Sequence, residues 1–169
     1  MTTISLASTL HHSQIMALLE DCIDDLVRQG NDQWGDHYPT SDIITGDLET
    51  QTLYRAQNDR NQLQGFIVIN PHQPPQWDGL IWKTPEPVMA VHRLCVHPHW
   101  QREGIAGLLM DFSEALVLGQ GYASMRLDAY SGNPAALGFY EKRGYRRVGR
   151  VQFPQRSRHG YAFEKRLCD

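Results

Sequence analysis

Two stretches of this 169-residue chain combine residue types that could do chemistry. The first is QREGIAG, Gln101 to Gly107, set between an apolar run ending at Val96 and a helical pattern. The first turn of a helix has unpaired N–H groups and a partial positive charge. Gly104 carries no Cβ to block an approaching ligand, and Ala106 keeps the next amide accessible. The stretch therefore reads as a cradle for an anion, a phosphate or pyrophosphate, held on backbone amides. Gly costs a helix about 1 kcal/mol against Ala, so Gly104 needs an offsetting reason. The alternative is that Gly104 only makes the turn. No GK[ST] follows and the pattern is not GxGxxG, so this is neither a P-loop nor a dinucleotide fingerprint.

The second stretch is SMRLDAY, Ser124 to Tyr130, which alternates as a strand does. Met125, Leu127 and Ala129 share one face; Arg126, Asp128 and Tyr130 share the other. Asp128 is a candidate proton acceptor, with an ion pair to Arg126 as the alternative. His92 is a second candidate, since an imidazole titrates at about 6.5, or else a satisfied residue of an apolar strand. His97 and His99 flank Pro98 with no third ligand in view, so no metal site is expected. Cys22, Cys95 and Cys168 are far apart and form neither a zinc spacing nor a CxxC pair. Buried, reduced thiols are expected.

These residues need elements to position them. Thr3–Leu6 reads as a first strand. Ser8 or Thr9 caps a helix with apolar residues Ile15, Leu18, Leu19, Cys22, Ile23 and Leu26, which Gly30 ends. The loop Gln29–Pro39 carries two aromatics. A short helix, Thr40–Leu48, follows with Thr40 or Ser41 as cap. Thr52–Ala56 and Leu63–Asn70 form a hairpin about the turn Asn58–Asn61. A Pro-rich loop leads to Val88–Val96, a nearly continuous apolar run suited to a strand covered on both faces. A helix runs from Gly104 to Gly119 or Gly121. After Ser124–Tyr130, Asn133-Pro134 starts a helix that Gly144 ends. Tyr145–Phe153 and Tyr161–Leu167 close as a hairpin. The order β-α-α-β-β-β-α-β-α-β-β implies an α/β (α+β) domain over residues 1–169, a mixed, mostly antiparallel central sheet flanked by helices on both faces.

Composition narrows the class. With 41% hydrophobic and 21% charged residues the chain can fill a core, and disorder is not expected. No apolar run reaches the roughly 20 residues of a membrane helix, and the N-terminus lacks the basic start and apolar core of a signal peptide. A cytoplasmic location and no membrane partner are expected. Net charge is -3 but unevenly spread. Glu20–Glu49 sums to -8 and Tyr140–Asp169 to +6. The two ends could meet partners of opposite sign, or be two solvated faces. The negative total and the lack of an aromatic–basic stripe weigh against nucleic acid.

QREGIA, with the strand before it and the helix after it, resembles the Q/R-x-x-G-x-G/A signature of the GNAT superfamily of N-acetyltransferases. About 30 residues on, NPAALGFYEKRGY, Asn133 to Tyr145, resembles that family's N-x-x-A-x-x-[FL]-Y-x-x-x-G-[FY] segment. The resemblance implies a GNAT-like acyl-CoA N-acyltransferase fold and an enzyme that moves acetyl from acetyl-CoA, its co-substrate, to a primary amine of a small molecule or peptide. Direct attack in a ternary complex is implied, since no cysteine lies in either motif. The amides of Arg102, Glu103, Gly104, Ile105, Ala106 and Gly107 would hold the pyrophosphate. Leu94, Cys95 and Val96 would pair with the pantetheine arm. Asn133 would hydrogen-bond the arm, Ala136 would leave room beside the ring of Tyr140, and Arg143 would meet a CoA phosphate.

Tyr140 would protonate the departing thiolate, as a neutral phenol can; the alternative is a core tyrosine with its hydroxyl satisfied. Asp128, where related ribosomal-protein acetyltransferases carry Glu, would serve as base through a bridging water. Trp34, Tyr38, His92, Tyr130 and Phe153 would line the acceptor side. A non-catalytic acyl-CoA-binding or regulatory module on the same fold is the competing reading. The sequence is compatible with a homodimer.

Overall fold

In the computed structural model, residues 1–168 are described. β1, Thr2–Leu6, pairs antiparallel with β2, Leu53–Asn58, and β2 with β3, Leu63–Asn70. Between them run α1, His12–Arg28, and α2, Ser41–Glu49. β4 spans Val88–Val96, α3 Ile105–Gly119, β5 Ser124–Tyr130 and α4 Pro134–Lys142. β6, Arg146–Val151, and β7, Gly160–Arg166, close the chain. The seven strands form one mixed sheet in the order β1-β2-β3-β4-β5-β7-β6. No helix among the described residues is long and apolar enough to cross a membrane.

The elements follow from local chemistry. Thr40 Oγ1 accepts from the Ile43 amide at 3.3 Å, capping α2. Asn133 does the same for α4 through the Ala136 amide at 3.2 Å. At the β2–β3 turn the Asn58 side chain accepts from the amides of Arg60 and Gln62, both at 3.0 Å. Several boundaries differ from the sequence reading by one to three residues, and two of the shifts have a visible cause. Ser8 opens a 3-10 turn, Thr9–His11, because its amide donates to His11 Nδ1 at 2.9 Å; α1 starts only at His12. β6 starts at Arg146, because the Tyr145 amide still belongs to the end of α4, donating to Tyr140 O at 3.1 Å.

The chain packs as two compact units with interleaved segments. The first comprises Met1–Gly30, Trp34–Ile69 and Arg93–Ser113; the second comprises Asn31–Gln33, Asn70–His92 and the chain from Glu114 onward. In the first unit the apolar stripe of α1 (Ile15, Leu18, Leu19, Cys22) meets Ile44 and Leu48 of α2 and Phe66 of β3. Each such side chain contributes about 1.5–3 kcal/mol on full burial. A Cβ on Gly65 would stand 2.6 Å from the Cys95 carbonyl, so β3 passes the end of β4 too closely for any side chain. Here, too, Arg93 and Asp47 form a buried two-point ion pair, Nε to Oδ2 at 2.8 Å and Nη2 to Oδ1 at 2.5 Å.

In the second unit β5 pairs antiparallel with β7 along its whole length. The polar face of β5 is covered by the Pro-rich segment between β3 and β4. Arg126 donates to Gln73 Oε1 at 2.6 Å and lies 4.2 Å from the Trp82 ring centroid. Glu164 of β7 accepts from the amides of Lys83 and Thr84 at 2.9 Å and from the Thr84 hydroxyl at 2.8 Å. These bonds anchor a loop with little regular structure of its own.

Candidate active site

In the first unit, the site residues lie on the end of β4 and the turn into α3. The parallel ladder between β4 and β5 covers only Val88–Ala90 with Ser124–Arg126; Val91–Val96 take no part in it. Cys95 is buried, while Leu94 and Val96 are half-buried. The Val96 carbonyl already accepts from the Gln101 side chain at 3.2 Å and the Cys22 thiol at 3.3 Å.

Gly104 adopts φ +85°, and a Cβ built there meets nothing within 4 Å. Backbone conformation, not crowding within the protein, is what demands glycine. Arg102 is also left-handed, at φ 64°. The result is a run of amides, Arg102 to Gly107, that donate to no acceptor among the described residues. The first paired amide is Leu108, to Gly104 O at 3.0 Å. Gln101–Gly104 are exposed, Ala106 and Gly107 half-buried, and only Ile105 is buried.

In the second unit, β5 and α4 bring Asp128 and Tyr140 close enough for the charge of one to shift the other. Asp128 is half-buried, and its Oδ2 accepts from the Trp77 indole N–H at 3.0 Å. Burial pushes its pKa above the ordinary carboxylate value, against the pull of Arg156 and of the Trp77 bond. The alternative partner, Arg126, is engaged elsewhere, with Gln73 and with the carboxylate of Glu86 at 3.5 Å.

Tyr140 is 8% exposed, its ring packed against Phe139, Tyr145 and Phe163 at centroid distances of 5.2, 5.9 and 6.2 Å. Its hydroxyl makes no hydrogen bond among the described residues. Burial first, and the Asp128 charge second, push its pKa far up, so the phenol is protonated at every physiological pH. Ala136 is half-buried one turn before it. Asn133 spends its Oδ1 on the cap and donates Nδ2 to Gln33 at 2.9 Å. Arg143 donates to Glu114 at 3.4 Å.

The residues expected to line the acceptor side divide. Trp34 is a core residue of the first unit, 8% exposed. Tyr38 accepts from Arg93 Nη1 at 2.8 Å. Tyr130, His92 and Phe153 belong to the second unit. Tyr130 donates to Asp32 and lies 3.1 Å from the Ser157 hydroxyl; this bond and the Ser157 donors hold Asp32 at about 2. His92 lies beside His72, 5.9 Å between ring centroids. Arg156 stacks on Phe153 at 4.6 Å and donates to the Gln33 carbonyl at 3.1 Å. His97 is tied to Asp21 at 3.0 Å.

Against known proteins, residues 18–145 match the acetyltransferase (GNAT) family. The chain belongs to this family. It is an N-acetyltransferase by family, of the acyltransferase class. No curated protein matches its sequence. Among solved structures, a GNAT-family acetyltransferase from Streptococcus agalactiae 2603 shares 21% identity at a TM-score of 0.81, over 98% of this chain and 95% of that one. Ard1 from Thermoplasma volcanium shares 18% at 0.75, over 99% of both chains. The ribosomal-protein-S18-alanine N-acetyltransferase from Escherichia coli shares 13% at 0.74, over 100% and 96%. These likenesses show the fold.

Three residues in this GNAT chain carry site geometry that the sequence reading missed. Trp77 sits in the Pro-rich segment, where nothing in the pattern marks a long-range partner. Asp32 and Gln33 lie in the loop after α1, beside the aromatics that drew notice. Their polar contacts to Ser157 and Asn133 span 125 and 100 residues, and only the topology creates them.

Proposed function

We propose that this GNAT enzyme transfers acetyl from acetyl-CoA to a primary amine of a small molecule or peptide, by direct attack in a ternary complex. The observation that carries the reading is the environment of two groups. Asp128 is a half-exposed carboxylate with one oxygen fixed by Trp77 and the other, Oδ1, available. Tyr140 is a protonated phenol with an unengaged hydroxyl.

Bound acetyl-CoA supplies the activated thioester. Asp128 accepts, through a water, the proton the amine loses as it attacks the carbonyl carbon. Tyr140 donates its proton to the sulfur as the carbon–sulfur bond breaks. The amides of Arg102–Gly107 hold the pyrophosphate, and their lack of protein acceptors supports that role. Leu94–Val96 offer the arm the backbone groups left outside the β4–β5 ladder, with the Val96 carbonyl already engaged by Gln101 and Cys22. Asn133 has one amide hydrogen left for the arm, Ala136 leaves room beside Tyr140, and Arg143 reaches a phosphate only by leaving Glu114. Tyr130, His92 and Phe153 line the acceptor side.

The test incubates the protein with acetyl-CoA and a panel of amines and follows free thiol release. Acetyl transfer to an amine with stoichiometric thiol supports the reading. CoA binding without transfer to any amine replaces it with the acyl-CoA-binding module.

A further inference from the structure

The fold brings together two of the three cysteines that the sequence leaves 73 positions apart. Cys22 lies on the buried face of α1 and Cys95 near the end of β4; they are 5% and 4% exposed. Their sulfurs stand 2.7 Å apart. That is inside ordinary sulfur–sulfur contact and short of bonding, since a disulfide is about 2.05 Å. The Cys95 thiol donates to Cys22 Sγ, and the Cys22 thiol donates to Val96 O at 3.3 Å. Each sulfur therefore has the other as its neighbour in a site that solvent scarcely reaches. Cys168, by contrast, is exposed near the C-terminus.

We propose that Cys22 and Cys95 are an oxidation site, converted by hydrogen peroxide into an intramolecular disulfide that ties α1 to β4. Cys22 is attacked first, because its sulfur is the acceptor in the pair. As a thiolate it takes one peroxide oxygen, giving a sulfenic acid and hydroxide, which recovers the thiol proton as water. Cys95 then attacks that sulfur; the S–S bond forms, the S–O bond breaks, and the hydroxyl leaves as water with the Cys95 proton. Two thiols and one peroxide give one disulfide and two waters. Burial raises the Cys95 pKa and shields both sulfurs, so the reaction is slow, limited by a small oxidant's entry.

The experiment uses Cys168→Ser, which removes the exposed thiol and leaves the buried pair. The variant is treated with hydrogen peroxide, quenched, unfolded in denaturant and alkylated, then measured by intact mass and peptide mapping. The expected product is a monomer that has lost two hydrogens, takes up no alkylating agent, and yields a cross-linked peptide pair containing Cys22 and Cys95. Dithiothreitol restores both alkylation sites. Cys22→Ser in the same background yields no cross-link. Two thiols still fully alkylated after prolonged peroxide overturn the proposal. So does oxidation of each sulfur separately to sulfinic acid, or linkage only between chains.

Discussion

Replacing Trp77 with Phe removes one hydrogen bond from the carboxylate proposed as base and keeps an aromatic ring in the same pocket. The bond runs from the indole N–H to Asp128 Oδ2 at 3.0 Å. It lowers the pKa that burial raises, so its loss raises it further. Hydrogen bonds to charged groups contribute about 1.5–3 kcal/mol, and about 1.36 kcal/mol corresponds to one pKa unit, so the ceiling is an upward shift of about 1–2 units. Asp128 is half-exposed, and water entering where the indole N–H stood returns part of this, so the lower end, about 1 unit, is expected. The base works ionised, so the acid limb of kcat/KM against pH moves up by that amount while the plateau at high pH changes little. The assay is thiol release across pH with an amine whose own titration lies well above the window. Arg156, the other charged group acting on Asp128, is untouched by the change. Because Trp77 is 3% exposed, a melting curve must accompany the kinetics. The stability loss should stay below the about 3–5 kcal/mol of truncating a buried aromatic to Ala. A folded variant whose acid limb does not move refutes the reasoning. If Asp128→Asn is inactive as well, the indole is not what sets the base; if Asp128→Asn is fully active, Asp128 is not the base.

Tyr140→Phe should bind CoA as before, by calorimetry, and lose about 10²–10⁴ in turnover if proton donation limits the rate. Gly104→Ala should lose about 1–2 kcal/mol in denaturant unfolding from its left-handed backbone, whereas Gly104→Asn tolerates that conformation. The Asn variant should therefore keep its stability yet bind CoA more weakly, and normal affinity would return the stretch to being only a turn. Asp47→Ala leaves the buried Arg93 guanidinium without its carboxylate and should cost about 3–5 kcal/mol in chemical denaturation. Asp128→Asn should be the more stable protein at neutral pH. The folded pKa of Asp128 lies above its unfolded value, so wild-type stability falls as pH rises between the two. The variant's advantage should appear across that window and stay level above it; equal stability at pH 4 and pH 7 would contradict it.

How much of this was legible in the sequence depends on the range of the contacts involved. β3, β4 and β5 were read to the residue, because apolar runs and strict alternation are local signals with local consequences. The glycine-containing turn was legible too, although its reason shifted. An open approach was inferred from the missing Cβ, and the structure shows a left-handed backbone that only glycine adopts easily. Partners across the fold were hidden. Asp128 and Arg126 share a strand face, so an ion pair was the natural local guess; the Pro-rich segment supplies other partners to both. Trp34 and Tyr38 were read as acceptor contacts because aromatics in a loop invite that reading; what the sequence did not show is that Trp34 packs into the first unit's core and that Tyr38 accepts from Arg93 beside Asp47. Cysteine spacing carried no hint that Cys22 and Cys95 would touch.

The proposed acid and base illustrate how one environment assigns two roles. Burial favours the neutral form of both Asp128 and Tyr140. Alone, it would leave a reluctant base beside an acid. Trp77 and Arg156 act on Asp128 in the opposite sense, keeping ionisation within reach, whereas Tyr140 has only Arg143 to oppose burial. Once Asp128 is ionised, its charge raises the Tyr140 pKa further, so the base in its working state also holds the acid in its own. The two pKa values are thereby driven apart, the condition under which one site can take a proton at one step and give a proton at the next. This coupling makes a further demand. Asp128→Asn removes the charge, so the Tyr140 pKa in that variant should fall, and ultraviolet titration of the phenolate should find Tyr140 ionising at lower pH than in wild type. Subtracting the Tyr140→Phe titration from each isolates its signal. An unchanged or higher value would show that the two groups do not act on each other and that burial alone sets the phenol.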